Sequence, residues 1–151
     1  MNFSVETTIN RPVNEVWAAI TDIANSANMI SAIIDLTVLK QGDDDLIGFK
    51  WSETREMFGK EATETMWITD CEHEQYYCTR AENCGAIYLT TMSVTGVEDQ
   101  CVLTMTFTGT ADSIFIRAMS NIMGFFMKNS MTKMLKQDLQ DIKTFVENKQ
   151  K

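Results

Sequence analysis

The first half of the chain alternates between hydrophobic and polar positions, with one helical interruption. From Asn2 to Ile9 every second residue is apolar or β-branched, which predicts a strand with one buried face. After Pro12 the apolar residues recur at helical spacing, and Pro is well tolerated in the first turn of a helix. The pattern predicts a helix from about Pro12 to Thr21. A second short helix, with Asp22 near its cap, ends around Asn28-Met29.

The period of two returns at Ala32 and persists for about 75 residues. Turn-forming clusters rich in Gly, Asn and acidic residues break this region into six strands. The predicted strands are Ile33 to Leu39, Leu46 to Met57, Glu61 to Cys71, Gln75 to Glu82, Ala86 to Val97 and Cys101 to Gly109. Because the connections are short, we expect neighbouring strands to run antiparallel.

The last 40 or so residues, Ala111 to Lys151, predict one long helix that Asp112 or Ser113 could cap. Its first half, Ile114 to Met127, is apolar on nearly every side and rich in Met and Phe. Its second half is amphipathic, with charged residues interleaved between apolar ones. We expect Leu135 to Val146 to pack on the sheet and the first half to close over a cavity, with Gly124 as its point of bending. The alternative is that the Met and Phe residues are ordinary core.

The predicted order is a strand, two short helices, six further strands and one long helix. This order indicates an α+β fold in which a curved, seven-stranded antiparallel sheet packs against the long helix. Repeats, low-complexity segments and linkers are not evident in the sequence, so we expect a single domain over residues 1–151.

Composition and charge narrow the classes of partner. The formal net charge is −8, and a chain with this acidic excess is poorly suited to binding nucleic acid or anionic membranes. The N-terminus has no secretion signal, and no apolar run approaches the ~20 residues that span a membrane. We therefore expect a cytoplasmic protein with no stable membrane insertion.

Cysteine and histidine offer little for metal or nucleophilic chemistry. The four cysteines form no CxxC pair, and the single histidine, His73, lies in a predicted turn between acidic residues. A catalytic triad with a histidine base is therefore excluded. We predict no metal and no cofactor.

Polar candidates for a site lie on the third predicted strand. Its alternation puts Trp51, Glu53 and Arg55 on one face together with Phe49. A carboxyl group buried there could have a raised pKa and act as an acid or base, and Glu64 on the next strand could pair with it. The alternative is a cross-strand salt bridge near the open end of the sheet, with Arg80 or Glu64 as the partner.

Aromatic residues add further candidates for a site. One of the neighbours Tyr76 and Tyr77 must face inward, and Tyr88 also offers a hydroxyl group that could orient a ligand carbonyl. Trp51 is a better pocket candidate than Trp67, whose parity indicates the outer face of the sheet.

Four stretches of the sequence are similar to those of a known family. They are the opening VETTINRPVNEVWAAITDIAN (Val5 to Asn25), IGFK (Ile47 to Lys50), ITDCEHEQYY (Ile68 to Tyr77) and the closing LKQDLQDIKTFVE (Leu135 to Glu147). Through them the whole chain resembles the START-like (SRPBCC) superfamily, nearest to its polyketide cyclase/dehydrase and lipid-transport branch. Cys71 and Glu72 stand where the family usually has two prolines. The resemblance implies a helix-grip fold with a deep cavity between the sheet and the long helix.

The resemblance implies that a hydrophobic small molecule, such as a lipid, a polyketide or an isoprenoid-like compound, binds in this cavity. The residues expected to line it are Trp51, Glu53, Met66, Tyr88, Met92, Met105, Phe107, Phe115, Met119, Met123 and Met127. One alternative is a cyclase or dehydratase that uses Glu53, Arg55 or a tyrosine for proton transfer. Another is an interaction module that binds a protein partner, for which we would expect a fully packed interior.

Overall fold

The computed structural model describes the backbone of residues 2–57, 59–83, 85–111 and 114–149, and the same side chains except those of residues 83, 111 and 114–128. Seven strands, two α-helices and one 3₁₀ helix are described in this part of the chain. Their bounds are β1 Asn2–Ile9, α1 Val13–Thr21, the 3₁₀ helix Ile23–Asn28, β2 Ile33–Lys40, β3 Lys50–Met57, β4 Lys60–Glu72, β5 Tyr76–Asn83, β6 Ala86–Val97, β7 Gln100–Ala111 and α2 Ile114–Asn148.

All seven strands form one antiparallel sheet in the order β1-β7-β6-β5-β4-β3-β2. Strands β2 to β7 follow one another through short connections, whereas β1 pairs with β7 and so brings the two ends of the strand region together. The predicted α+β fold, with two short helices and one long C-terminal helix on a curved sheet, is confirmed.

The start of β3 differs from the sequence prediction, which began this strand at Leu46. The chain turns before the strand begins, because the Phe49 amide donates to the Leu46 carbonyl at 3.0 Å. Gly48 lies within this turn at φ +89°, a conformation that favours glycine. The strand therefore begins only at Lys50.

The long helix packs its second half against the sheet and α1. Met131, Leu135, Leu139, Ile142 and Val146 are buried at intervals of three or four residues, so they lie on one face of the helix. This face contacts β1 and β7. The predicted anchor from Leu135 to Val146 is therefore confirmed.

Two predictions for the long helix concern parts outside the described residues. The capping positions Asp112 and Ser113 are one, and the side chains of Ile114 to Met127 are the other. The cavity wall that we assigned to this half of the helix stays a prediction, as does the bend at Gly124.

Candidate functional site

An interior cavity of about 180 Å³ lies between the inner face of the sheet, the first two helices and the second half of α2. An adjoining cavity of about 130 Å³ shares part of its wall, including Met66 and Phe107. An apolar cavity of about 150 Å³ is large enough to hold benzene. The interior is therefore not fully packed, and it has the space that a small ligand requires.

The sheet supplies every predicted lining residue whose side chain the structure describes. Trp51, Glu53, Met66, Met92, Met105 and Phe107 line the larger cavity. Tyr88 lines the smaller one and stacks on Phe107, with ring centroids 5.8 Å apart. The side chains of Phe115, Met119, Met123 and Met127 lie outside the described residues, so their place in the lining stays a prediction.

The helices contribute lining residues that the sequence analysis did not propose. Ile20, Ile23, Met29 and Ile30 come from α1, the 3₁₀ helix and the segment after it, and Met131, Met134, Leu135, Asp138 and Ile142 come from α2. The amphipathic stripes of these helices indicated burial, but the sequence could not distinguish a side chain that packs in the core from one that borders a cavity.

A buried polar network on the wall of the larger cavity links the sheet to the long helix. Because side chains on a strand alternate, Trp51, Glu53 and Arg55 lie on one face of β3. The Trp51 indole donates to Glu53 Oε1 at 3.3 Å, and Arg55 Nε donates to Glu53 Oε2 at 3.0 Å. Arg55 Nη1 also donates to Asp138 Oδ2 at 3.0 Å. The guanidinium group therefore bridges two carboxylates from different elements.

Glu53 faces the interior, as the first reading of this strand proposed, and the alternative of a cross-strand salt bridge with Arg80 or Glu64 is wrong. Arg80 lies on β5 and pairs with Glu82 of the same strand. Glu53 pairs instead with Arg55, two residues along its own strand, and both of its carboxylate oxygens have donors. The salt bridge is thus part of the cavity wall rather than a surface pair.

Asp138 is the polar residue of the site that the sequence analysis missed. It was counted among the charged residues of the amphipathic half, yet only 2% of its surface is exposed. Its spacing from Leu135 and Ile142, three and four residues away, places it within the apolar stripe of α2. An acidic residue at a core position of a helix was the signal that could have identified it.

Burial sets the protonation properties of Asp138. Loss of hydration raises the pKa of this carboxyl group, and the nearby Arg55 guanidinium only partly opposes the rise. For Arg55, burial alone would lower the pKa, but the charges of Asp138 and Glu53 outweigh it and keep the pKa raised. Arg55 therefore remains a cation at every physiological pH.

Glu64 completes the set of charged groups on the described cavity wall. It lies directly opposite Glu53 in the pairing of β3 with β4, as the predicted carboxylate pair requires. Three carboxyl groups thus face one guanidinium, and the wall carries a formal charge of −2 when all four groups are ionised.

The tyrosines occupy three different environments. Tyr77 faces inward, as one of the two neighbours had to, and its hydroxyl donates to the Ile20 carbonyl at 3.1 Å. Burial raises the pKa of Tyr77 far above its ordinary value, so this residue anchors α1 and is unsuited to proton transfer. Tyr76 is half-buried and donates to Asp70. Of the three, Tyr88 and Tyr77 reach a cavity.

The described residues contain no group of three or more His, Cys, Asp or Glu side chains arranged to hold a metal ion. In the same part of the chain, none of the helices is both long enough and apolar enough to cross a membrane.

Solved structures share this architecture at low sequence identity. The aromatase/cyclase ZhuI from Streptomyces sp. R1128 superposes with a TM-score of 0.77 and 14% identity, over 97% of this chain and 93% of the other. A START superfamily protein from Mycobacterium smegmatis gives a TM-score of 0.69 and 10% identity, over 93% and 98%. The protein TTHA0849 from Thermus thermophilus gives 0.79 and 11%, over 97% of both chains.

Sequence comparison gives the family. None of the curated proteins matches the chain. The model of one protein family, described as polyketide cyclase/dehydrase and lipid transport, matches residues 1–147. The structural neighbours share the fold, and since the family match spans nearly the whole sequence, the chain belongs to the polyketide cyclase/dehydrase and lipid transport family.

Proposed function

We propose that this protein binds a hydrophobic small molecule, of the lipid, polyketide or isoprenoid-like class, in the cavity between sheet and long helix. The observation that carries the proposal is the space itself. Two adjoining cavities of about 180 and 130 Å³ lie among Met, Phe, Ile and Trp side chains in a protein of this size. Well-packed cores contain few voids larger than a water molecule, so a space of this size is typical of a ligand pocket.

The composition of the wall supports a ligand of variable shape. Met57, Met66, Met92, Met105 and Met131 all border the space. Methionine side chains are unbranched and flexible, so they adapt to different apolar surfaces. Burial of the ligand would contribute ~25 cal/mol per Å² of apolar area before the costs of association.

A cavity-filling variant tests this proposal directly. Ala62 lines the larger cavity from β4, so Ala62→Phe places a ring in the space. The substitution breaks no side-chain hydrogen bond, because alanine makes none. Thr65→Phe, an exposed position with the opposite parity on the same strand, is the matched control. The probe is the neutral dye N-phenyl-1-naphthylamine, whose fluorescence rises in apolar sites.

We expect one dye molecule to bind per wild-type chain, with affinity at least tenfold weaker in Ala62→Phe and unchanged in Thr65→Phe. Native mass spectrometry of the purified protein should also show a carried-over lipid-like mass that denaturation removes. Equal dye binding by all three proteins would contradict a ligand site in this cavity.

Asp138 supports acid–base catalysis as a second candidate function. This carboxyl group has a raised pKa, borders the cavity and is held by Arg55, which suits a group that exchanges a proton with a bound substrate. Glu53 is less suitable, because both of its oxygens already accept hydrogen bonds. The reaction class is elimination of water from a β-hydroxyketone: a proton leaves the carbon next to the carbonyl, the C–O bond breaks, and water departs.

The enzyme candidate predicts turnover of 4-hydroxy-4-phenylbutan-2-one to its conjugated enone, followed by ultraviolet absorbance. Asp138→Asn should abolish turnover while dye binding persists, whereas Glu53→Gln should retain both. Absence of turnover in the wild type, at substrate concentrations that displace the dye, would leave ligand binding as the function.

A further inference from the structure

One oxygen atom in the cavity wall lacks a hydrogen-bond partner. Asp138 accepts a hydrogen bond from Arg55 through Oδ2, but its second oxygen, Oδ1, is buried and has no partner among the described residues. Buried polar atoms in folded proteins are nearly always satisfied, because an unsatisfied group costs about 1–3 kcal/mol. Asp138 borders the cavity, but Oδ1 itself is covered, so a ligand reaches this oxygen only when the carboxylate shifts toward the space.

The chemistry of this oxygen determines what can satisfy it. In its ion pair with Arg55 the carboxyl group is ionised, and an ionised carboxylate only accepts hydrogen bonds. A partner must therefore bring an N–H or O–H group. An ether, an ester oxygen or a ketone cannot fill this role.

The charge of the cavity wall also disfavours a ligand that carries a carboxylate. Glu53 and Asp138 share the single cation Arg55, and Glu64 lies across from Glu53. An anionic ligand headgroup would enter a space where carboxylates already outnumber the guanidinium, and burial weakens the screening of that repulsion. Arg55 is itself committed to two carboxylates and is a poor receptor for a third.

We propose that the cavity selects amphiphiles whose polar end is a hydrogen-bond donor, a hydroxyl or an amine, and that it discriminates against carboxylates such as fatty acids, with the Asp138 carboxylate as the recognising group. This rests on the proposed ligand-binding function and specifies the ligand class. The apolar part of the ligand occupies the methionine-rich space, and the donor lies at the end where α2 meets β3.

The test compares four probes of similar chain length. They are 1-octanol, octylamine, the ether 1-methoxyheptane and octanoate, each titrated by calorimetry at pH 7 and constant ionic strength. In the wild type we expect octanol and octylamine to bind about tenfold more tightly than the ether, as a hydrogen bond to a charged group implies. Octanoate should bind most weakly of the four.

Two variants separate recognition by Asp138 from a general effect of charge. In Asp138→Asn the preference for octanol over the ether should fall to about twofold or less, and octanoate should gain affinity, because the network loses one negative charge. Asp141→Asn removes the same charge one turn along the helix, at a residue that does not line the cavity. This control should keep the wild-type order of affinities.

The outcomes distinguish this inference from the proposed function. If the ether or octanoate binds the wild type as tightly as octanol, the cavity remains a ligand site but the donor assignment is overturned; this is also the result expected if an ordered water satisfies Oδ1. If none of the four probes binds, the ligand-binding function and the inference both fail. The wild-type comparison stands even if Asp138→Asn does not fold.

Discussion

The chemistry of the cavity depends on how three side chains share their hydrogen bonds. Glu53 accepts from Trp51 and Arg55, and Arg55 donates to both carboxylates. Asp138 alone retains an oxygen without a partner in the described structure. Glu53 therefore holds the cation in place, while Asp138 retains an unused capacity to accept a hydrogen bond.

Two carboxyl groups on α2 should give opposite pH dependences of stability. Asp138 has a pKa raised above 3.8 by burial, so its contribution to stability is fully present below pH 3.8 and is lost as pH rises through its folded-state pKa. Replacing it by Asn removes this loss. The free energy of unfolding of Asp138→Asn, relative to wild type, should therefore rise with pH across that window in urea titrations.

Asp141 provides the comparison of opposite sign. Burial opposes ionisation of Asp141, but hydrogen bonds from Ser31 and Gln137 outweigh it and lower the pKa below 3.8. Its contribution is present above pH 3.8 and is lost as pH falls through the folded-state pKa. Asp141→Asn should thus lose stability relative to wild type as pH rises. The same slope in both variants would contradict the burial of Asp138.

At the scale of single residues, the sequence predicts the part of the network on β3 but not its contact with α2. Glu53 and Arg55 are two residues apart on a strand, so simple alternation places both on the inner face. Asp138 is 83 residues from Arg55, and its contact depends on how α2 lies across the sheet. Alternation within one element carries no information about such a long-range pair, which is why the contact between Arg55 and Asp138 was not predicted.

Among the elements, the second half of α2 contributes both to the packed core and to the cavity wall. Its second half presents a stripe of buried residues to the sheet, and the same stripe carries Asp138 to the cavity. The position of the anchor therefore determines where the polar end of the cavity lies. Helical periodicity predicted the anchor because burial on one face leaves a spacing of three and four residues in the sequence.

A pair of Leu→Ala substitutions tests the anchor. Leu139 is 1% exposed within the stripe, whereas Leu39 on the edge strand β2 is 53% exposed. Leu139→Ala creates a cavity in packed surroundings and should lower the free energy of unfolding by about 2–5 kcal/mol. Leu39→Ala should change it by no more than about 0.5 kcal/mol. Urea denaturation measures both, and equal effects would show that α2 is not firmly packed at Leu139.

Across the whole molecule, the arrangement of strands was more predictable than the space inside it. Turn signals and alternation are local, and short connections leave antiparallel pairing as the natural arrangement of six successive strands. The cavity depends on the distance between sheet and helix, which no local pattern records. Resemblance to a family supplied that expectation, whereas the apolar stripe of the long helix alone favoured an ordinary core.

The Arg55–Asp138 contact couples the two layers of the molecule, because it joins β3 to α2 through a buried ion pair. Arg55→Met would leave Glu53 and Asp138 buried without their cation, so we expect the free energy of unfolding at pH 7 to fall by about 3–5 kcal/mol. The triple variant Glu53→Gln/Arg55→Met/Asp138→Asn removes all three charges and should recover most of that loss, since no buried charge remains unpaired.

Arg80→Met is the matched control: it breaks the exposed pair with Glu82 and should cost less than about 1 kcal/mol. A loss in Arg55→Met as small as in this control would mean that water screens the network and that the two layers are held together by apolar packing alone.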